Sequence, residues 1–212
     1  MNKVAYIIPS LLLLGVFGYF MVSSNKKPKD VVSVAQFEGW RNTKLSVNNK
    51  LFTISFPKEY VSIHRDTLAW TAKMPKDKMQ GVLVTIMEKG KEVAMGSPFV
   101  QVAYFSKKNP GCSTIDSVLF NLNKMMKNNP SAQITKEVFN LPSVSGRPVY
   151  CEYIHLDKRE FQGKEFHEQY YAYAYLEHTA DYWITMTLST TSKTEFADWE
   201  PRFHKILESY RD

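Results

Sequence analysis

Residues 4–22 (VAYIIPSLLLLGVFGYFMV) contain no charged side chain. As a helix this run reaches about 28 Å, close to the ~30 Å hydrocarbon thickness of a bilayer. The apolar core of a cleavable signal peptide is shorter, about 7–15 residues. The sequence therefore predicts an uncleaved single-pass anchor over residues 1–24, in which Val4, Leu11, Leu12, Leu13, Leu14, Phe17 and Phe20 meet lipid. Val22, Ser23 and Ser24 before Asn25 keep a cleaved signal peptide as the alternative. No Cys follows the run, which excludes a bacterial lipoprotein. Lys3 and the α-amino group lie before the run and Lys26, Lys27 and Lys29 after it, so the positive-inside rule alone would leave the body in the cytoplasm. A short basic N-terminus before a long apolar run ordinarily stays inside while the rest is exported, and on that ground the body is expected to be extracytoplasmic, periplasmic or at the cell surface.

Residues 25–44 mix charges with a proline and lack a sustained period, and are read as a linker. The soluble domain is placed at 45–212. Phe52-Thr53-Ile54-Ser55-Phe56 alternates and is stopped by Pro57, which reads as a strand. Further strands are expected at 68–74, 82–88 and 99–106. The period then changes. Ser113-Thr114-Ile115-Asp116 resembles a capping box, and Ile115, Val118, Leu119, Leu122, Met125 and Met126 line one face of a helix. Four more strands are expected at 134–140, 147–157, 165–177 and 182–191, the last two joined as a hairpin through residues 178–181. A terminal helix carries Trp199, Phe203, Ile206, Leu207 and Tyr210 on one face. Pro201 is poorly tolerated in a helix interior, so the expected N-cap is Asp198. The fold class is α+β, an antiparallel sheet flanked by helices (an α/β/α sandwich), preceded by one transmembrane helix.

The motif order has a specific likeness. A Phe-x-Ile-Ser-Phe-Pro strand (Phe52 to Pro57) precedes a mid-chain helix. After it come Gly146-Arg147-Pro148-Val149-Tyr150, a long hairpin ending in Tyr182 to Leu188, and a final helix with Phe203-His204-Lys205-Ile206-Leu207. Over most of residues 45–212 this resembles the PsbP-like superfamily, which includes the extrinsic subunit of photosystem II, a eukaryotic Ran-binding relative and bacterial exported proteins. The resemblance implies an antiparallel sheet sandwiched by helices and a non-catalytic binding or assembly role. No residue here matches a partner-docking or ion-retaining position of the photosystem subunit, so no site is carried over.

Candidate chemistry is sparse. His167-Glu168 opens like a zincin motif, but the second His is missing, and residues i and i+4 of a strand lie ~13 Å apart, too far to share a metal. No metal ligand, cofactor site or catalytic set is assigned. Cys112, ahead of a predicted helix, is the best nucleophile available, because a helix N-terminus lowers a thiol pKa. In an exported protein its pairing with Cys151 is the stronger expectation. Tyr171, Tyr173 and Tyr175 share one face of a strand. They read either as core beneath a helix or as a partner surface, since Tyr is favoured at interfaces.

The 27 basic and 21 acidic residues give a net charge of +6. Lys3, Lys26, Lys27 and Lys29 against Asp30 place +3 of it beside the apolar run; the other +3 is spread over the body. That distribution argues against nucleic-acid binding. The expectation is a membrane-anchored, non-enzymatic accessory or assembly subunit whose partners are the bilayer and subunits of a membrane complex. The alternatives are a small-ligand or lipid-binding module and a thiol-dependent hydrolase using Cys112.

Overall fold

A computed structural model describes residues 36–37, 40–64, 80–90, 97–119, 132–140, 147–161 and 164–212. The apolar run at 4–22, the strand expected at 68–74 and the second half of the mid-chain helix lie outside the described residues. Among those described, no helix is long and apolar enough to cross a membrane.

The described residues hold twelve strands and two helices. Strands β1 (Gln36–Phe37), β2 (Trp40–Val47) and β3 (Lys50–Pro57) form a small antiparallel sheet. Seven others form the main sheet in the order β4 (Tyr60–His64), β5 (Gln80–Glu88), β6 (Phe99–Ser106), β12 (Tyr182–Thr190), β11 (Gln169–Thr179), β8 (Pro148–Leu156) and β7 (Ala132–Asn140), antiparallel throughout. Among the described residues, strands β9 (Arg159–Phe161) and β10 (Lys164–Phe166) pair only with each other, as an arm between β8 and β11. Residues 115–119 are helical (α1), and Lys193–Glu208 forms α2. The α+β class, mostly antiparallel sheet with two helices, is as expected.

Side-chain alternation divides the main sheet into two faces. Val149, Cys151, Ala172, Ala174, Leu176, Ile184, Met186 and Leu188 join one core with Trp199, Phe203, Ile206 and Leu207 of α2 and Leu45, Val47, Phe52, Ile54 and Phe56 of the small sheet. The residues between them in sequence, Ile154, Leu156, Tyr171 and Tyr175, pack with Val118 of α1 in a second core. Small residues at 172 and 174 leave the first face room for the bulky side chains of α2. An antiparallel bridge between Thr53 and Arg211, with both backbone hydrogen bonds made, fastens the end of the chain to β3.

Four expectations are corrected. The linker read at 25–44 already holds strand at Gln36–Phe37 and from Trp40, because Asn48 and Asn49 both adopt left-handed φ (48° and 63°) and turn β2 back onto β3. Such a two-residue turn is a hairpin signal that Asn suits nearly as well as Gly. The strand expected at 165–177 is two, broken at His167 and Glu168. The β11–β12 connection is tighter than residues 178–181, with β11 continuing through a bulge to Thr179. Finally, α2 starts five residues before Asp198. Its N-cap is Ser192, whose hydroxyl accepts from the Glu195 N–H, and Pro201 lies inside the helix. The Ser192-x-x-Glu195 spacing is a capping-box signal, and burial of the helix's apolar face outweighs the backbone bond that proline deletes.

Candidate functional site

The cysteines do not meet. Cys151 sits on the α2 face of β8, 1% exposed, and Cys112 packs against the opposite core. A disulfide needs Cα atoms within about 7 Å and converging Cβ vectors; here the sheet lies between the two side chains, and both are free thiols. Cys112 is not at a helix N-terminus either. The cap of α1 is Thr114, whose hydroxyl accepts from the Ser117 N–H, and burial pushes the Cys112 thiol up from its ordinary range. Its backbone carries the useful bonds instead, donating to the Asn109 carbonyl and accepting from the Trp183 indole N–H at 2.9 Å. Neither observation supports the nucleophile reading. Burial, first, and the Glu137 charge push Cys151 up to about 12. Maleimide labelling of the unfolded chain without reductant is expected to modify both cysteines; unlabelled thiols that appear only after reduction would contradict the two-face placement.

The tyrosine face is core. Tyr171 and Tyr175 are 2% and 5% exposed, Tyr173 is half-buried, and all three pack under α1 or beside it. As a partner surface they are covered. Tyr173 belongs to a polar seam that crosses this face in register. Thr85 (β5) lies beside Gln101 (β6), Gln101 beside Thr187 (β12), Thr187 beside Tyr173 (β11), Tyr173 beside Glu152 (β8), and Glu152 beside Lys136 (β7). Glu152 is buried and its carboxylate pairs with the Lys136 ammonium at 3.2 Å. Burial, first, and the Glu152 charge hold the Tyr173 and Tyr175 hydroxyls protonated.

Lys136 leads to the sheet's open side. β7 is the outermost strand beside β8, and among the described residues no strand pairs with its other edge. Gln133, Thr135, Lys136, Glu137 and Val138 are all exposed, Val138 by 61%. Glu137 also accepts from the Tyr153 hydroxyl at 3.0 Å, which in turn meets His204 of α2 at 2.7 Å.

At the end of the same strands, the break around the β9–β10 arm gathers polar groups that no local motif announces. Gln133 of β7 is in register with His155 of β8. The His155 ring stacks on Tyr170 (4.5 Å between centroids, 8° between planes), and its Nε2 lies 2.6 Å from Glu168 and 3.6 Å from Asp157. The Tyr170 hydroxyl donates to the same Glu168 oxygen. Hydrogen bonds from Tyr170 and then His155 hold the Glu168 carboxyl below the usual range, and burial, then that carboxylate, pushes Tyr170 up to about 12. Asp157 and Glu168 are eleven positions apart in sequence and meet because β8 and β11 pair as Leu156 with Gln169. Only that register, which the strand read at 165–177 obscures, reveals the group.

A further buried polar pair ties the end of the chain down. His178 Nδ1 lies 2.7 Å from the Tyr210 hydroxyl, with Phe52 against both rings. Burial, opposed by a backbone hydrogen bond at Lys50 and then by Asp212, pushes His178 below the ordinary imidazole range.

No family model matches the chain, and no curated protein matches it. Among solved structures it is similar to cyanobacterial PsbP (CyanoP) from Synechocystis sp. PCC 6803, at 12% identity over 90% of this chain and 98% of that one, with a TM-score of 0.47. It is also similar to the Saccharomyces cerevisiae Ran-binding protein Mog1p, at 9% identity over 81% and 95% of the chains, TM-score 0.46. A third is LpqN of Mycobacterium tuberculosis, described as involved in cell envelope biogenesis, at 10% identity over 81% and 90%, TM-score 0.49.

Proposed function

We propose that this chain is a non-enzymatic accessory subunit that residues 4–22 tie to a membrane and whose extracytoplasmic domain docks protein partners of a membrane complex. The observation that carries the reading is β7, a nine-residue edge strand whose residues 133–138 include five exposed side chains. An edge of this length presents backbone donors and acceptors that an extended segment of another protein can continue, with exposed side chains setting the choice of partner. Val138 is one of two large apolar side chains left exposed among the described residues.

The test is Val138→Lys. A lysine on an edge strand opposes strand addition, while a substitution at an exposed site changes stability by about 0.5 kcal/mol or less. The variant is expected to keep its melting temperature and to lose co-migration with its partner complex on native separation of a mild-detergent extract. Unchanged co-migration would remove β7 as the docking element.

A further inference from the structure

We propose that His155, Asp157 and Glu168 form a binding site for a divalent transition-metal cation such as Zn²⁺, in preference to Ca²⁺. The imidazole nitrogen and one oxygen from each carboxylate all lie within 4.8 Å of one another. Around zinc held at about 2.1 Å in tetrahedral geometry, ligand atoms stand about 3.4 Å apart. The His155–Asp157 separation of 3.6 Å is already at that spacing, and the His155–Glu168 contact of 2.6 Å needs a modest opening. Side-chain rotation supplies it, because all three side chains reach solvent, with 25%, 53% and 44% exposed. An ion can therefore enter without a backbone movement.

The surrounding groups suit the role. Stacking on Tyr170 fixes the plane of the His155 ring, and the Tyr170 hydroxyl orients the Glu168 carboxylate, the kind of outer support that metal ligands ordinarily have. Tyr170 is itself held against Phe196 of α2. Two carboxylates and a neutral imidazole balance a dication, with Lys193 the nearby opposing charge acting on Glu168. One nitrogen and two oxygen donors favour zinc over calcium, which takes six to eight oxygens, while among the first-row ions affinity at such a site rises from manganese to a maximum at copper and falls again at zinc. Three protein ligands leave one tetrahedral position to water or to a side chain brought by another molecule. Gln133 on the open edge strand is in register with His155, so a partner docked on β7 would arrive beside that position.

Titration of the full-length protein in mild detergent with zinc chloride, followed by calorimetry, tests this. One Zn²⁺ per chain is expected, with micromolar affinity and a raised melting temperature. His155→Ala and Asp157→Asn are each expected to weaken binding at least about tenfold, since each removes one of three ligands. His167→Ala, at an exposed neighbouring histidine, should leave binding unchanged. Far-UV circular dichroism of the zinc-free variants checks that they fold, and Asp157→Asn, at an exposed position, serves if His155→Ala does not. Absence of binding below about 1 mM zinc, or binding that survives both substitutions, would overturn the site. Calcium binding as tightly as zinc would overturn the choice of ion.

Discussion

Phe203→Ala is expected to destabilise the domain by about 3–5 kcal/mol, the cost of emptying a fully buried aromatic position. Phe203 is 0% exposed and sits where α2 meets both the main sheet and the small sheet, in the core shared with Ile54, Phe56, Ala172, Ala174 and Met186. The cavity is hard to close. Ala172 and Ala174 are too small to fill it, and α2 is held at both ends, by the Ser192 cap and by Ser209, whose hydroxyl donates to the Ile206 carbonyl and accepts from the Ser55 N–H. Since a domain has only about 5–15 kcal/mol in total, this one substitution removes a large share of it. In urea, with a slope of about 2 kcal/mol/M, the midpoint is expected to fall by about 2 M. The change is readable from the fluorescence of the buried Trp183 and Trp199. A fall under about 0.5 M would mean that α2 is not packed as described.

Pro201→Ala should move stability the other way, by about 1–2 kcal/mol. Proline inside a helix deletes the backbone bond to the residue four positions earlier and crowds its carbonyl, which costs about 3 kcal/mol in a regular helix. Here the partner would be Ala197, and both residues are exposed, so water relieves part of that cost. The unfolded chain also regains freedom when proline is replaced, which offsets a further part by about 0.4–1 kcal/mol. The gain that remains is expected as a rise of about 0.5–1 M in the same urea midpoint. A loss of stability would show that the proline ring contributes packing that outweighs the missing bond.

The fold was largely legible where a single face is buried. Tyr182 to Ser189 alternates because Ile184, Met186 and Leu188 enter the α2 core while Trp183, Thr185 and Thr187 face the other side. The apolar stripe Trp199, Phe203, Ile206, Leu207 and Tyr210 is entirely buried, while the start of its helix is not legible from Pro201, which lies inside a helix that the Ser192 cap begins. The β2–β3 hairpin carries no glycine to announce it. Asn48 and Asn49 adopt left-handed φ without one.

The site was much less legible, because it depends on register. Cys112 and Cys151 look like a pair until the parity of β8 puts Cys151 on the α2 face. The tyrosines at 171 and 175 look like a surface until α1 covers them. The His155, Asp157 and Glu168 group, and the seam from Thr85 to Lys136, exist only once strands distant in sequence are aligned.

Native separation of a mild-detergent extract of cells that make the protein tests the proposed partner docking most directly. The chain is expected to migrate with a complex several times its own mass. Migration as a lone monomer, under conditions that keep other membrane complexes whole, would contradict it.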